Sequence, residues 1–488
     1  MTYTGGFRRY AGEEIALRSV WVYGLGPMKA FQATAWAVLE FGRADLGHGA
    51  RTKRAVRVGA ALVQNPSSSI PRVAENAHQA KGVYRLLSNP QVKHDDILSG
   101  HIDRTVERCL GRSALLVIQD TTTLSYTEHR GTRGLGPIND SARARGFLAH
   151  TALAVSVEDH EVLGVLDQHV WVRGKRKVTE GESCVARKKR RRESEHWAAA
   201  QRRVGKLFQG VEKRPRVIAT FDREGDIFEA FEALDQLGHS FIIRATHNRL
   251  VDSEGEGREY SLDSVGQAPI LAHRAVEVPA RPGRAARVAQ MDVRATSLAI
   301  RPPRNRGRHG DSIRLNVVAA IESQPPEGVE PLVWYLVTRE PIETEADVLA
   351  VVRGYEARWI IEELHMGMKT GCSTEQRQLD TVHALQNFLA FATVVAWQML
   401  CLRDAARRPE PVRADQVLTP LQMIVLCGLR PRLKADCLAG EALRAIAVMG
   451  GFMGRKGDGN PGWRTLWAGF EKLLMAEKGF LVARERFG

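Results

Sequence analysis

The sequence lacks the cysteine patterns of disulfide-stapled and zinc-binding proteins. Its six cysteines, spread from Cys109 to Cys437, include no CxxC pair. Because both kinds of site need cysteines at close spacings, neither is predicted, and a reducing cytoplasm is the expected location. The N-terminus carries no signal-peptide pattern.

Long hydrophobic runs are also missing. The longest extends from Phe388 to Leu402 and is interrupted by Thr393 and Gln398. A membrane-spanning helix needs roughly 18 or more apolar residues. The run is therefore predicted to be a helix buried inside the protein.

Acidic residues are fewer than basic ones. The 488 residues include 56 Asp and Glu against 70 Lys and Arg, which gives a net charge of +14 and a pI near 9.7. Such a balance favours a polyanionic partner, and nucleic acid more than a membrane. The length predicts two or three domains.

A helical pattern begins at Met28, and several helical pieces follow it. Residues 50–64 place three arginines at helical spacing, with apolar residues behind them. The segment has two interpretations: a small bundle with a basic side, or a DNA-binding domain whose arginines neutralise phosphates. Residues 1–27 show no clear period, so we expect them to be dispensable, with Met28 as an alternative start of translation. The arginines are Arg51, Arg54 and Arg57.

From residue 113 the pattern changes to short apolar runs typical of strands. Interleaved helical segments make a mixed α/β sheet the predicted architecture. Residues 250–330 predict a β-rich insertion. The predicted strands are 114–119, 151–157, 162–172, 217–221 and 240–244.

Two carboxylates directly follow buried strands, where α/β sheets commonly place their chemistry. Asp120 follows the strand 114–119, and Asp222 follows the strand 217–221. Together with Glu362 on a later helix they would repel one another unless cations neutralised them. An oxygen-only set suits Mg²⁺ or Mn²⁺. A pair of such ions supports phosphoryl transfer.

The stretch that carries Glu362 has polar residues at offsets 0, 3, 7 and 14. On one continuous helix these offsets fall within an arc of roughly 60°. A capping pattern at Thr344 and Asp347 predicts where the helix begins, and Gly371 predicts where it ends. The spacing alone is more typical of a solvated helix face. The four residues are Tyr355, Arg358, Glu362 and Lys369, and the opposite, apolar face carries Ile360, Ile361, Leu364 and Met368.

These motifs resemble the signature of the DDE transposases, in particular those of the insertion-sequence IS-four family. The resemblance is carried by Asp120-Thr121-Thr122, by Asp222-Arg223-Glu224 and by the pattern Y-x2-R-x3-E-x6-K from Tyr355 to Lys369. Residues 82–92 and the C-terminal stretches MGGFMGRKGDG and WRTLWAGFEKL also match the family. The resemblance implies a ribonuclease-H-like catalytic core.

The resemblance implies cut-and-paste transposition of double-stranded DNA by a homodimer that brings two transposon ends together. Asp120, Asp222 and Glu362 would hold two Mg²⁺ ions, with Mn²⁺ as a substitute. Cleavage would pass through a DNA hairpin before strand transfer into target DNA. A bacterial protein associated with the nucleoid is then expected.

Residues that contact DNA are implied in the same way. Trp334 would stack on a flipped base, while three residues of the helix stripe would grip the phosphates beside it. Further contacts are implied in the core and in the helical segment. The stripe residues are Tyr355, Arg358 and Lys369, and the further contacts are Arg244, Arg51, Arg54, Arg57, Tyr84 and Arg85.

The sequence departs from the family pattern at two places. Phe147-Leu148 stands before His150 where the relatives have two tryptophans. The family's second aromatic residue that braces the DNA hairpin is therefore missing here unless Phe147 partly substitutes for it. Thr246 replaces a lysine that would contact a phosphate. The basic run 187–192 is either a solvated loop or a DNA contact.

Two other functions stay open: a catalytically reduced DNA-binding regulator of transposition, and a ribonuclease-H-like nuclease without strand transfer. The presence of all three carboxylates favours an active transposase. The predicted division is an extension (1–27), a helical DNA-binding domain (28–105), a catalytic core with its insertion (106–375) and a helical dimerisation region (376–488).

Overall fold

The computed structural model describes residues 33–487 apart from 75, 140–142, 175–194, 253–256, 279–285, 304–310, 407–410 and 456–457. The predicted extension 1–27 and the basic run 187–192 therefore lie outside the described residues. The proposed domain division stays a prediction.

The first described region is helical, as predicted. Its second helix buries Ala55, Val58 and Leu62 along one side. The apolar residues expected behind the arginines were Val56, Ala60 and Val63, and of these Val63 is buried while the other two are half-buried. Asn76 caps the fourth helix by accepting a hydrogen bond from the Gln79 amide at 2.9 Å. The helices are α1 (Ala33–Phe41), α2 (Gly49–Gln64), α3 (Ile70–Val73), α4 (Ala77–Leu87) and α5 (His94–Cys109).

Ten described strands then form one mixed sheet. They are β1 (Ala114–Ser125), β2 (Gly136–Pro137), β3 (Arg145–Ser156), β4 (Val162–Trp171), β5 (Arg216–Phe221), β6 (Ser240–Arg244), β7 (Ile270–Val278), β8 (Arg287–Ile300), β9 (Ile313–Glu322) and β10 (Val333–Thr338). The order is β2-β3-β1-β5-β6-β10-β9-β8-β7, and β4 also pairs with β3.

The topology confirms the predicted ribonuclease-H-like core. Strands β1, β3 and β4 form an antiparallel meander, and β5 and β6 then add parallel to β1. The β-rich insertion supplies β7, β8 and β9, which extend the same sheet through β10. The prediction for β1 is corrected in one respect, because the strand continues beyond residue 119 to Ser125 while it stays paired with β3.

Helices cover both faces of the sheet. Because side chains alternate along a strand, Leu115 and Val117 pack on one side against Val204 of the helix Glu195–Leu207, and Leu116 and Ile118 face the other side. The remaining helices are α6 (Glu195–Leu207), α7 (Phe228–Gln236), α8 (Ser261–Gln267), α9 (Glu345–Glu356), α10 (Trp359–Met366), α11 (Val382–Ala405), α12 (Pro420–Leu429), α13 (Ala439–Met449) and α14 (Trp463–Phe487).

Helix α11 joins the helical region to the sheet, and the prediction of a buried helix at 388–402 is confirmed. Among the described residues it is the one helix that is long and apolar enough to cross a membrane, but 89% of its apolar window is buried inside the protein. The Asn387 amide donates to the carbonyls of Leu87 and Val92 at 2.9 Å. The Trp397 indole donates to the Val162 carbonyl of β4 at 3.3 Å.

The prediction of one continuous helix around Glu362 is wrong, although its two ends are correct. The capping box of Thr344 with Asp347 begins α9 as predicted. The helix ends at Glu356, and after it the Arg358 amide donates to the Tyr355 carbonyl, three residues back, at 3.0 Å. After α10 a π-helical turn runs from Gly367 to Gly371.

Glycine permits this π-turn because neighbouring helices approach it closely. A Cβ on Gly371 would lie 2.1 Å from the Trp467 ring of α14. A Cβ on Gly367 would lie 3.2 Å from Ala396 of α11. The turn is therefore held between two helices of the C-terminal half of the chain.

Candidate active site

The strand register places the two aspartates side by side. Ile118 of β1 is the partner of Thr220 on the parallel strand β5, and Asp120 and Asp222 each follow two residues later. Neighbouring strands lie about 4.8 Å apart, so the two residues occupy the same level of the sheet. Asp222 follows the end of β5 as predicted. Asp120 lies inside β1, opposite Thr151, rather than at the end of the strand.

Local hydrogen bonds orient both carboxylates. Asp120 Oδ1 accepts from the Thr121 amide at 2.8 Å. Asp222 Oδ1 accepts from the Glu224 amide at 2.8 Å and so caps the short 3₁₀ turn that follows β5. Each aspartate keeps a second oxygen that these bonds do not use.

Glu362 approaches from the helix that packs on β1. Its α10 lies against the strand, and Glu362 Oε1 accepts from Arg358 Nη2 at 2.6 Å. The guanidinium neutralises this carboxylate while no other cation is present. Arg358 also lies 5.2 Å from the centre of the Trp359 ring.

The electrostatics link the three carboxylates. Burial, then the charge of Asp222 and to a smaller extent that of Glu362, raise the pKa of Asp120 from 3.8 to about 7, and the charge of Arg358 opposes the rise. Two like charges near a buried acid disfavour its ionised form. A cation at this position would relieve that repulsion.

The donor set fits a hard divalent ion, although the side chains do not enclose one. Mg²⁺ and Mn²⁺ prefer carboxylate oxygens, which are what Asp120, Asp222 and Glu362 offer. Within the described parts of the chain, no three His, Cys, Asp or Glu side chains are arranged to hold a metal ion. Glu362 is paired with Arg358 instead.

His365 lies beside Asp120, and the sequence reasoning did not single it out. Its Nδ1 is 3.7 Å from Asp120 Oδ2, and the residue is 6% exposed. Burial, and then the charges of Lys369 and Arg358, lower the pKa of His365 to about 3. The available signal was its position three residues after Glu362, on the same helix stripe.

Several of the predicted DNA-contacting residues lie together near Glu362. The Trp334 and Tyr355 rings meet edge to face, 5.4 Å apart. Arg358 lies 6.0 Å from the Tyr355 ring, and Arg244 Nη2 donates to the Val333 carbonyl at 3.0 Å. Trp334 is half-buried, whereas Tyr355 is 5% exposed and belongs to the core.

Lys369 is carried by the π-turn rather than by the helix itself, and it is half-buried. Its charge lowers the pKa of His365, which places Lys369 near the same group of residues. The roles of the stripe residues and of Trp334 in DNA contact stay predictions.

Phe147 does not take the place of an aromatic that braces DNA. It is fully buried and stacks on Tyr126 with ring centres 5.7 Å apart. His150 is likewise buried, and it bonds to Thr121 Oγ1 at 2.8 Å and to Gln119 Oε1 at 3.0 Å. At the other departure, the Thr246 amide donates to Asp226 at 2.6 Å and closes the loop after β6.

The predicted DNA-contacting residues of the helical region lie on α2 and α4. Arg51 donates to the Leu46 carbonyl at 3.0 Å and to Gln91 at 2.6 Å. The Arg54 guanidinium packs over Gly82. These two arginines therefore have partners within the chain, while Arg57, Tyr84 and Arg85 are exposed.

Comparison with known proteins agrees with these observations. A family model described as "Transposase DNA-binding" matches residues 33–92. A second, described as "Transposase Tn5 dimerisation domain", matches residues 394–486. The two matched segments support a Tn5-like transposase of the IS-four family.

The two matches flank the sheet. The first covers α1 to α4, and the second covers the end of α11 together with α12, α13 and α14. A solved synaptic complex of the piggyBac transposase with hairpin DNA is similar at a TM-score of 0.33 and 11% identity, and the match covers 77% of this chain and 71% of that one. A likeness that weak has no bearing on the activity of this chain.

Proposed function

We propose that this transposase excises its element and joins it to target DNA with Asp120, Asp222 and Glu362 as its catalytic carboxylates. The observation that carries the proposal is the shared level of the two aspartates on adjacent parallel strands, with the helix of Glu362 packed against them. The raised pKa of Asp120 supports a site that is built to receive positive charge.

The three carboxylates would hold Mg²⁺, which when bound would stabilise the charge that develops on the attacking and leaving oxygens. Arg358 has a second role in this proposal. Its guanidinium can leave Glu362 for a DNA phosphate, because a phosphate offers the same bidentate acceptor geometry as a carboxylate. DNA binding would thus release Glu362 for the cation.

The chemistry is a series of displacements at phosphorus. Water attacks the phosphodiester at the transposon end, and the 3′ oxygen leaves as a hydroxyl. That 3′-OH attacks the opposite strand, which gives a hairpin and frees the flanking DNA. A second water opens the hairpin, and the regenerated 3′-OH attacks target DNA. Each step exchanges one P–O bond for another, so one set of carboxylates can serve all of them.

Hairpin formation bends a strand back on itself, which favours taking one base out of the stack. Trp334 is the candidate partner for that base. It is half-buried, it is braced edge-on by Tyr355, and stacking of a base on an aromatic ring contributes about 1–3 kcal/mol. Arg358 and Lys369 would hold the phosphates beside it.

The assembly in this proposal is a homodimer on two transposon ends. The segment matched as a DNA-binding domain would hold the end sequence, with the exposed Arg57, Tyr84 and Arg85 as the first contacts. The segment matched as a dimerisation domain would pair the subunits. A nucleoid-associated, cytoplasmic location is proposed with this function.

The test is cleavage of DNA that carries the inverted repeats flanking the gene. Asp120→Ala, Asp222→Ala and Glu362→Ala should each abolish cleavage and retain binding to end DNA. Glu363→Ala is the matched control, because Glu363 pairs with Arg403 at 3.1 Å and does not belong to the triad. It should retain cleavage.

The products distinguish the alternative functions. Joined end–target molecules support a transposase, cleavage without joining indicates a nuclease, and binding without cleavage by the unmodified chain indicates a regulator. Near-normal cleavage by any one of the three carboxylate variants would refute the triad.

A further inference from the structure

One buried polar group at the candidate site has no assigned role. His365 lies on α10 three residues after Glu362, and its Nδ1 faces Asp120 Oδ2 at 3.7 Å. The Nε2 atom is buried and has no hydrogen-bond partner among the residues that the structure describes. A buried polar atom without a partner is costly, so its retention beside a catalytic carboxylate calls for an explanation.

The position of the imidazole proton follows from the surroundings. A proton on Nδ1 points at a carboxylate oxygen, whereas a proton on Nε2 would leave two lone pairs facing each other.

We propose that His365 is a positioning residue for Asp120: its Nδ1–H donates to Oδ2 and so fixes the rotation of Asp120 toward the cation. The inference rests on the proposed function, since it assumes that Asp120 binds the metal. At 3.7 Å the contact is longer than a hydrogen bond, and a small rotation of Asp120 would close it.

Residues that orient a metal ligand typically change metal affinity by about 10–100-fold when they are removed. His365→Leu should therefore weaken the binding of Mn²⁺, used alone as the probe, by about that factor. His365→Asn places an amide N–H near the position of Nδ1 and should stay within about threefold of the unmodified chain. His365→Gln reaches only the position of Nε2 and should resemble the leucine variant.

The experiment is a Mn²⁺ titration of the full chain bound to end DNA, followed by electron paramagnetic resonance, with the signal of the same DNA alone subtracted. His239→Leu is the matched control, because it removes another buried histidine with a lowered pKa, one bonded to Gln201 rather than to the triad. The control variant should bind Mn²⁺ like the unmodified chain. Asp120→Ala, included in the same series, should lose most of the binding.

The outcomes separate the two proposals. If Asp120→Ala loses Mn²⁺ and His365→Leu does not, the inference about His365 is overturned and the triad stands. If Asp120→Ala binds Mn²⁺ with normal affinity, the proposed triad is refuted, and the inference about His365 is refuted with it. If His365→Leu does not fold, the comparison of asparagine with glutamine decides, and equal affinities overturn the inference. A ¹⁴N coupling in the spin-echo spectrum would also overturn it, because the imidazole would then be a direct ligand.

Discussion

Asp120→Asn should stabilise the metal-free protein while it abolishes cleavage. The pKa of Asp120 rises from 3.8 to about 7 in the folded chain. Because one pH unit corresponds to about 1.4 kcal/mol, the ionised carboxylate costs the folded state up to about 4 kcal/mol. Asparagine keeps the shape of the side chain and can still accept from the Thr121 amide, but it carries no charge.

The sign of the pH dependence follows from proton binding. Between the unfolded and folded pKa values the native state binds more protons than the unfolded state, so Asp120 makes the protein less stable as the pH rises from about 4 to 7. The advantage of the asparagine variant should grow by about 2–3 kcal/mol between about pH 5 and pH 8 and should be constant above that.

The assay is urea denaturation at both pH values with the metal chelated. Glu327→Gln, which neutralises an exposed loop carboxylate, is the control and should show no such trend. Saturating Mg²⁺ should narrow the difference, because a ligand that binds only the folded chain stabilises it. A stability difference that is equal at both pH values, or an asparagine variant that is less stable at the higher one, would refute the electrostatic account of this site.

Three further predictions concern DNA handling and packing. Trp334→Ala should slow hairpin formation more than the first nick, and an abasic site at the flipped position should partly rescue it; equal losses at both steps in a gel time course would assign Trp334 to the core. Affinity for end DNA should fall steeply between about 50 and 200 mM salt if the net charge of +14 acts on phosphates, and a flat binding isotherm series would contradict this. Gly371→Ala should cost about 1–3 kcal/mol in denaturant melts, because its Cβ would lie 2.1 Å from the Trp467 ring. Gly462→Ala, which meets nothing within 4 Å, should cost less than half as much.

The predictions that held in the fold depend on local features of the chain. Apolar runs located the five core strands, the capping pair located the start of α9 at Thr344, and the run at 388–402 was correctly assigned to the interior. The local sequence determines such features, because the formation of a strand or the end of a helix depends mainly on residues close by in the chain. The family signature is also local, and the matches at 33–92 and 394–486 agree with it.

The features that spacing missed depend on partners far along the chain. β1 continues to Ser125 because β3 stays paired with it. The helix of Glu362 is broken, and its last turn widens, between α11 and α14. Phe147 is buried in the core, where its ring stacks on Tyr126.

The sequence by itself determined which residue types could carry the proposed phosphoryl transfer, because carboxylates that follow apolar runs and cations at helical spacing are properties of composition and order. Only the tertiary structure decided their relations. The register of β1 with β5 set Asp120 level with Asp222, and the packing of α10 brought Glu362 and His365 to them. Those relations arise from contacts between residues more than a hundred positions apart, and no period within the chain encodes them.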